Sequence, residues 1–200
     1  AIYGDNLITV GTIMQNLKYS TEIKHLNGNS FTSQAISFKA LDGYVLAGVL
    51  YTPVNTIKAN LVVSSATGVP QAFYRRFSEY AAQLGYQVLT FDYRSLAKSA
   101  PRQLKGFKMS YLDWGKLDLA GAIDYSFKQD TPLFLVGHSY GGQALGLTPN
   151  HDKVSAMYCF GTGAGWHGYM PFKEKIKVQV IWNIIFPPMV AITGYLPWSK

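Results

Sequence analysis

Cysteine occurs once in the 200 residues, at Cys159. An internal disulfide is therefore excluded, and a reducing, cytoplasmic compartment suits the chain. Cys159 lies within the apolar run from Val154 to Phe160, so a buried structural thiol is expected. One cysteine and four histidines fall into no metal-ligand spacing, which leaves no metal site to expect. Acidic residues are also scarce, 11 against 18 Lys and Arg, for a net charge of +7. The basic residues gather only loosely, at Arg94, Lys98, Arg102, Lys105 and Lys108 and again at Lys173, Lys175 and Lys177. Without a stripe or arginine–aromatic interleaving they read as solvated surface, and nucleic acid is not an expected partner. The N-terminus lacks the basic and apolar regions of a secretory signal. Repeats and low-complexity tracts are absent as well.

Long uninterrupted hydrophobic runs are missing too. The longest candidate, Ile176 to Trp198, is broken by Lys177, Gln179, Asn183 and the pair Pro187-Pro188. It falls short of a comfortable membrane span. A cap or lid over a site explains it better, with membrane-surface contact as a lesser reading. Even so, 48% of the residues are hydrophobic, and 200 residues suffice for one domain with a sizeable core.

The chain does contain alternating short apolar runs and helical patterns. Gln34 to Lys39 and Val45 to Tyr51 flank Leu41-Asp42-Gly43, a strong hairpin signal. Asn60 to Ser64 and Tyr86 to Phe91 read as buried strands. Between them, Phe73, Phe77, Tyr80, Ala81 and Leu84 recur at helical spacing and predict a helix with a buried stripe, stopped by Gly85. Asp113 to Phe127 predicts a further helix, with Asp113 and Asp118 as charges of its first turns. Leu133 to Val136 and Val154 to Phe160 complete the strands. A hairpin followed by alternating strand and helix implies a mostly parallel sheet with helices on both faces. Ligands in such sheets sit beyond the carboxyl ends of the strands, where the loops at 65–70 and 92–101 converge.

The most informative motif stands at that edge. Gly137-His138-Ser139-Tyr140-Gly141-Gly142 directly follows the strand Leu133 to Val136. A G-x-S-x-G in this position predicts a tight strand-to-helix turn that exposes a serine. The serine needs a positive φ, and Gly137 and Gly141 must be small for the turn to close. The helix after Tyr140 would turn its N-terminus toward the reaction site, where it favours developing negative charge.

These features resemble the α/β-hydrolase superfamily from about Phe38 to Phe160. Ser65-Ala66-Thr67-Gly68 stands where the superfamily often carries H-G-x-G. Asp92-Tyr93-Arg94-Ser95-Leu96-Ala97-Lys98-Ser99 resembles D-x-R-G-x-G-x-S, with Ser95 and Ala97 in place of two glycines. The ensemble is most similar to the serine-hydrolase branch of monoglyceride lipases, serine-aminopeptidase-like proteins and bacterial predicted α/β-hydrolases. The resemblance implies an uncertain N-terminal extension at 1–30, an incomplete hydrolase core at 31–168 with its C-terminal strands missing, and the start of an apolar cap at 169–200.

It also implies roles. Ser139 is the nucleophile, and the backbone N–H groups of Tyr140 and Thr67 form the oxyanion hole. The family's acid and base follow the nucleophile in sequence, and neither is evident here. His138 points away from the turn, His151 is unassigned, His25 precedes the domain, and His167 is a remote candidate base. Asp92 is expected to be structural, holding its loop with Arg94. The expected activity of the complete protein is hydrolysis of a small-molecule carboxylic ester, with a lipophilic acyl group suited to the apolar cap. No cofactor is expected. A non-catalytic relative and an acyltransferase are the alternatives, with this chain, read as truncated, inactive by itself. The sequence does not fix the oligomeric state.

Overall fold

A computed structural model describes residues 22–26, 29–163 and 166–196. Seven strands form one sheet: β1 (Glu22–Leu26), β2 (Asn29–Lys39), β3 (Val45–Pro53), β4 (Ala59–Ser64), β5 (Tyr86–Phe91), β6 (Leu133–His138) and β7 (Ala156–Phe160), in the order β1-β2-β3-β5-β4-β6-β7. The first three pair antiparallel, as does β3 with β5, and β5-β4-β6-β7 are parallel. The β2–β3 hairpin turns at Leu41-Asp42-Gly43 as its sequence implies. Gly43 takes φ 86°, and Lys39 pairs with Val45. The strand β1 places residues expected to precede the domain, His25 among them, inside the sheet opposite β2.

The parallel strands divide their side chains with period two. Leu61, Val63, Val88 and Val136 pack on one face beside Phe31, Tyr51 and Tyr74. Val62, Leu89, Leu133 and Leu135 pack on the other beside Phe38, Phe91, Tyr93 and Trp114. Helix α1 (Arg75–Gln83), entered through a tighter turn at Gln71–Tyr74, covers the first face. Helix α2 (Ala120–Ser126), preceded by the widened turns Trp114–Leu119, and helix α3 (Tyr140–Ala144) lie on the second. A long apolar helix, α4 (Phe172–Thr193), follows β7 and is widened at Ile181–Ile185.

Three expectations change. The apolar stripe of α1 is not buried as a whole: Phe73, Phe77, Tyr80 and Leu84 are exposed, and of the stripe only Ala81 is buried, together with Ser78 and Ala82. Small residues let the helix lie close on the sheet. The large ones line an open groove of about 360 Å³ with Phe134, Val136 and Tyr158. Cys159 is exposed, because β7 is the sheet's last strand among the described residues and little covers it. Asp118 is no surface helix charge but fully buried. It accepts from the backbone N–H and Nε of Arg94, both at 2.8 Å, while Arg94 reaches the half-exposed Asp42 through both terminal nitrogens at 2.8 and 2.9 Å. Burial pushes the Asp118 carboxyl up to about 6 against the pull of Arg94. The Arg94 hydrogen bonds hold Asp42 below the ordinary carboxylate range.

Candidate functional site

The strand β6 ends in Gly137-His138 and α3 begins at Tyr140, so Ser139 alone makes the turn. It takes φ 50° and ψ −114°, a strained backbone for a residue with a Cβ. The turn is held by Ser139 N–H donating to Phe160 O and Gly142 N–H donating to Ser139 O, both at 3.0 Å. The glycines are required by space. A Cβ at Gly141 would stand 1.9 Å from Ser64 O, and one at Gly137 2.6 Å from Gly142 Cα. One at Gly142 would meet Thr162 Oγ1 at 2.1 Å. The elbow thus packs directly on the ends of β4 and β7.

The loop after β4 comes to the same edge. Ala66 N–H donates to the Tyr74 hydroxyl at 2.9 Å, leaving Thr67 as the next N–H of the loop. The Thr67 side-chain hydroxyl meets the Tyr111 hydroxyl. Tyr140, first in its helix, has no intrahelical partner for its N–H. Its side chain turns inward, stacks edge-on to Trp114 and donates its hydroxyl to Tyr111 O at 3.0 Å. Burial raises the pKa of both Tyr140 and Tyr74, so neither is a base at neutral pH. Beneath the elbow, Ser64 Oγ and Tyr93 Oη lie 2.7 Å apart and tie β4 to the chain leaving β5.

His138 leaves the turn on the far side. Its Nδ1 is 2.9 Å from the Tyr74 hydroxyl, and its ring stacks on Phe160 at 4.5 Å. That hydroxyl also accepts from Ala66 N–H, so it is shared between the two segments. The pair links the elbow to the loop carrying Thr67. Asp92 is structural as expected, but its partner is not Arg94. Its carboxylate accepts from Gln71 N–H at 2.8 Å, Gln71 Nε2 at 3.0 Å and Lys98 N–H at 3.2 Å. Arg94 is engaged by Asp42 and Asp118 instead. The two residues that replace glycines in the same loop, Ser95 and Ala97, hold φ 67° and 39°, the conformation a glycine would adopt freely.

Among the described residues no acid–base pair comes to Ser139. Among the described residues Ser139 Oγ has no hydrogen-bond partner. His167 sits in the turn His167–Tyr169 with its ring 6.0 Å from that of Trp166. His151 Nδ1 lies 3.0 Å from Thr148 O. Among the described residues no group of three His, Cys, Asp or Glu is placed to hold a metal. Tyr74 and Gln71 escaped the sequence reading. Their partners lie 64 and 21 residues away, and no local pattern announces them.

No family profile matches the sequence, and no curated protein matches it. Solved structures match the whole arrangement. A hypothetical protein from Pseudomonas aeruginosa superposes with a TM-score of 0.58 at 17% identity, over 82% of this chain and 55% of that one. A serine hydrolase without lid from Xanthomonas campestris gives 0.54 at 18%, over 67% and 63%. A soluble variant of monoglyceride lipase from Saccharomyces cerevisiae, bound to a substrate analog, gives 0.50 at 17%, over 89% and 51%. The chain has the α/β-hydrolase fold. It spans between about half and two thirds of the length of these three structures. Within the α/β-hydrolase fold the strained serine falls at the β6–α3 turn, at the carboxyl edge of the parallel strands.

Proposed function

We propose that the protein is a serine hydrolase of carboxylic esters that works through an acyl-enzyme on Ser139. The observation that carries this reading is the backbone of Ser139, held at φ 50° between two glycines that no larger residue can replace. Strain of this kind costs about 1–3 kcal/mol and persists where it serves a purpose. Here it presents a hydroxyl beside the first N–H of α3.

The chemistry follows from that placement. Ser139 Oγ attacks the ester carbonyl, its proton passes to a base, and the carbonyl electrons move onto oxygen. The N–H groups of Tyr140 and Thr67 are the donors for that oxyanion, and losing one such donor typically costs about 10²–10³ in rate. Collapse expels the alcohol and leaves an acyl-serine, which water cleaves by the same steps. The Tyr74 hydroxyl fixes Ala66, one residue before Thr67, and thereby the loop. Esterases and a monoglyceride lipase among the solved structures of this fold support an ester as substrate.

Labelling with a fluorophosphonate, read by intact mass, tests this. A single adduct on the 200-residue chain, absent from Ser139→Ala, is expected. Its formation should be slow, because no imidazole contacts Ser139 Oγ among the described residues. No adduct after prolonged exposure of folded protein, or an adduct that survives in Ser139→Ala, sinks the reading. The same absence of a base favours a second reading, a hydrolase fold kept for binding, which predicts the first of those failures.

A further inference from the structure

Helix α4 is exposed along its entire length: none of its most apolar window is buried. Phe172, Ile176, Trp182, Ile184 and Ile192 are exposed and do not fall on one stripe, while Val178, Ile181, Phe186 and Met189 are half-covered. A helix apolar on every side is not shaped for one groove in a partner. Its charges are confined to the first turns, Lys173, Glu174, Lys175 and Lys177, and residues 178–196 carry none. Polar side chains within that stretch turn back on the helix. Asn183 Nδ2 donates to Gln179 O at 2.9 Å and Thr193 Oγ1 to Met189 O at 2.8 Å. A helix in water has no need of this, whereas one in hydrocarbon must satisfy its polar groups internally.

The C-terminal end of α4 returns to the body, and the chain that leads toward its other end starts at the sheet edge. The chain leaves the sheet beside the elbow at Gly163, whose carbonyl accepts from Gln143 Nε2. At the other end Gly194 closes against Lys105, where a Cβ would stand 2.7 Å from Lys105 Cγ. Lys105 shares its loop with Arg102 and Lys108. Each end of the uncharged stretch is therefore collared by basic residues.

We propose that α4 docks this protein on an anionic lipid bilayer, with 178–196 among the acyl chains and the two basic collars at the headgroups. Basic side chains near such a surface each contribute about 1 kcal/mol, and the apolar stretch supplies the rest.

Flotation of the 200-residue chain with vesicles tests this. Mixed phosphatidylcholine–phosphatidylglycerol vesicles should carry it up the gradient, and phosphatidylcholine alone should carry less. The triple variant Lys173→Gln, Lys175→Gln, Lys177→Gln should partition roughly fivefold less per lysine into mixed vesicles. Trp182→Glu with Ile184→Glu should float with neither. None of the five substituted side chains is buried, so circular dichroism and Ser139 labelling should stay as in the parent. Equal flotation of every chain overturns the proposal, as does failure of the parent to float with mixed vesicles. A parent oligomer that Trp182→Glu with Ile184→Glu turns into monomer, with no lipid binding by either, overturns it in favour of a second copy.

Discussion

The hydroxyl of Tyr74 and the Nδ1 of His138 lie 2.9 Å apart, joining two segments 64 residues distant in the chain. That hydroxyl also accepts from Ala66 N–H at 2.9 Å. One oxygen therefore spans the elbow and the loop that carries Thr67.

Tyr74→Phe keeps the ring and removes only this oxygen. It leaves the Ala66 N–H without its acceptor, a loss of about 1–3 kcal/mol. The urea midpoint should fall at unchanged slope. Fluorophosphonate labelling of Ser139 should slow as well, since the Thr67 loop loses its tether. An unchanged midpoint would show that water replaces the hydroxyl without cost.

The Arg94 network predicts two pH dependences of opposite sign. The Asp42 pKa is depressed in the folded chain by Arg94, so its contribution is present above the unfolded value and is lost as pH falls through the folded one. The cost of Asp42→Asn, about 0.5–1 kcal/mol for a half-exposed pair, should therefore be seen at neutral pH and vanish toward pH ~3. Asp118 is pushed up to about 6, so between the ordinary value and that one the folded chain holds the extra proton. Its contribution falls as pH rises through that window. Asp118→Asn still strips Arg94 of a buried partner, and about 3–5 kcal/mol should be lost at neutral pH. Urea titrations at several pH values check both signs.

Ser139→Cys separates the elbow from the missing base. A thiol carries a few per cent thiolate at neutral pH and attacks without help. In a Cys159→Ser background, which removes the exposed cysteine, Ser139→Cys should form a stable thioester with an activated aryl ester, visible as an added acyl mass. Absence of the acyl mass in folded protein would mean that the turn does not present its side chain to solvent.

Glycine substitutions should split sharply by position. Gly141→Ala forces a Cβ to within 1.9 Å of Ser64 O and should abolish both labelling and cooperative unfolding. Gly146→Ala meets nothing within 4 Å and should be neutral, or stabilising by about 0.4–1 kcal/mol. The reverse change, Ala97→Gly, should relieve a φ of 39° and raise the melting temperature.

Much of this was legible in the sequence because it is local. The apolar runs of β4 and β6, the Asp-Gly of the hairpin and the elbow motif each fit within a few residues. What was not legible depends on distance. Asp118 read as a helix charge because its partner Arg94 lies 24 positions upstream, and Arg94's other partner, Asp42, lies 52 positions before that; only the fold brings the three together. Tyr74 drew no reading, since its value lies in an oxygen whose partners, Ala66 and His138, lie in other segments. The stripe of Phe77, Tyr80 and Leu84 had the period of a buried face. Alanines at 81 and 82 won that face by fitting closer to the strands.

Ser139 sits where the backbone would rather have glycine. Replacing it by glycine should let the turn relax, and the chain should resist denaturant better than the original while losing its hydroxyl. A serine at that place is thus a standing cost to the fold, and stability alone would select it away. Its presence, in a turn that closes only because Gly137, Gly141 and Gly142 are small, is the physical argument behind the proposed use of the hydroxyl.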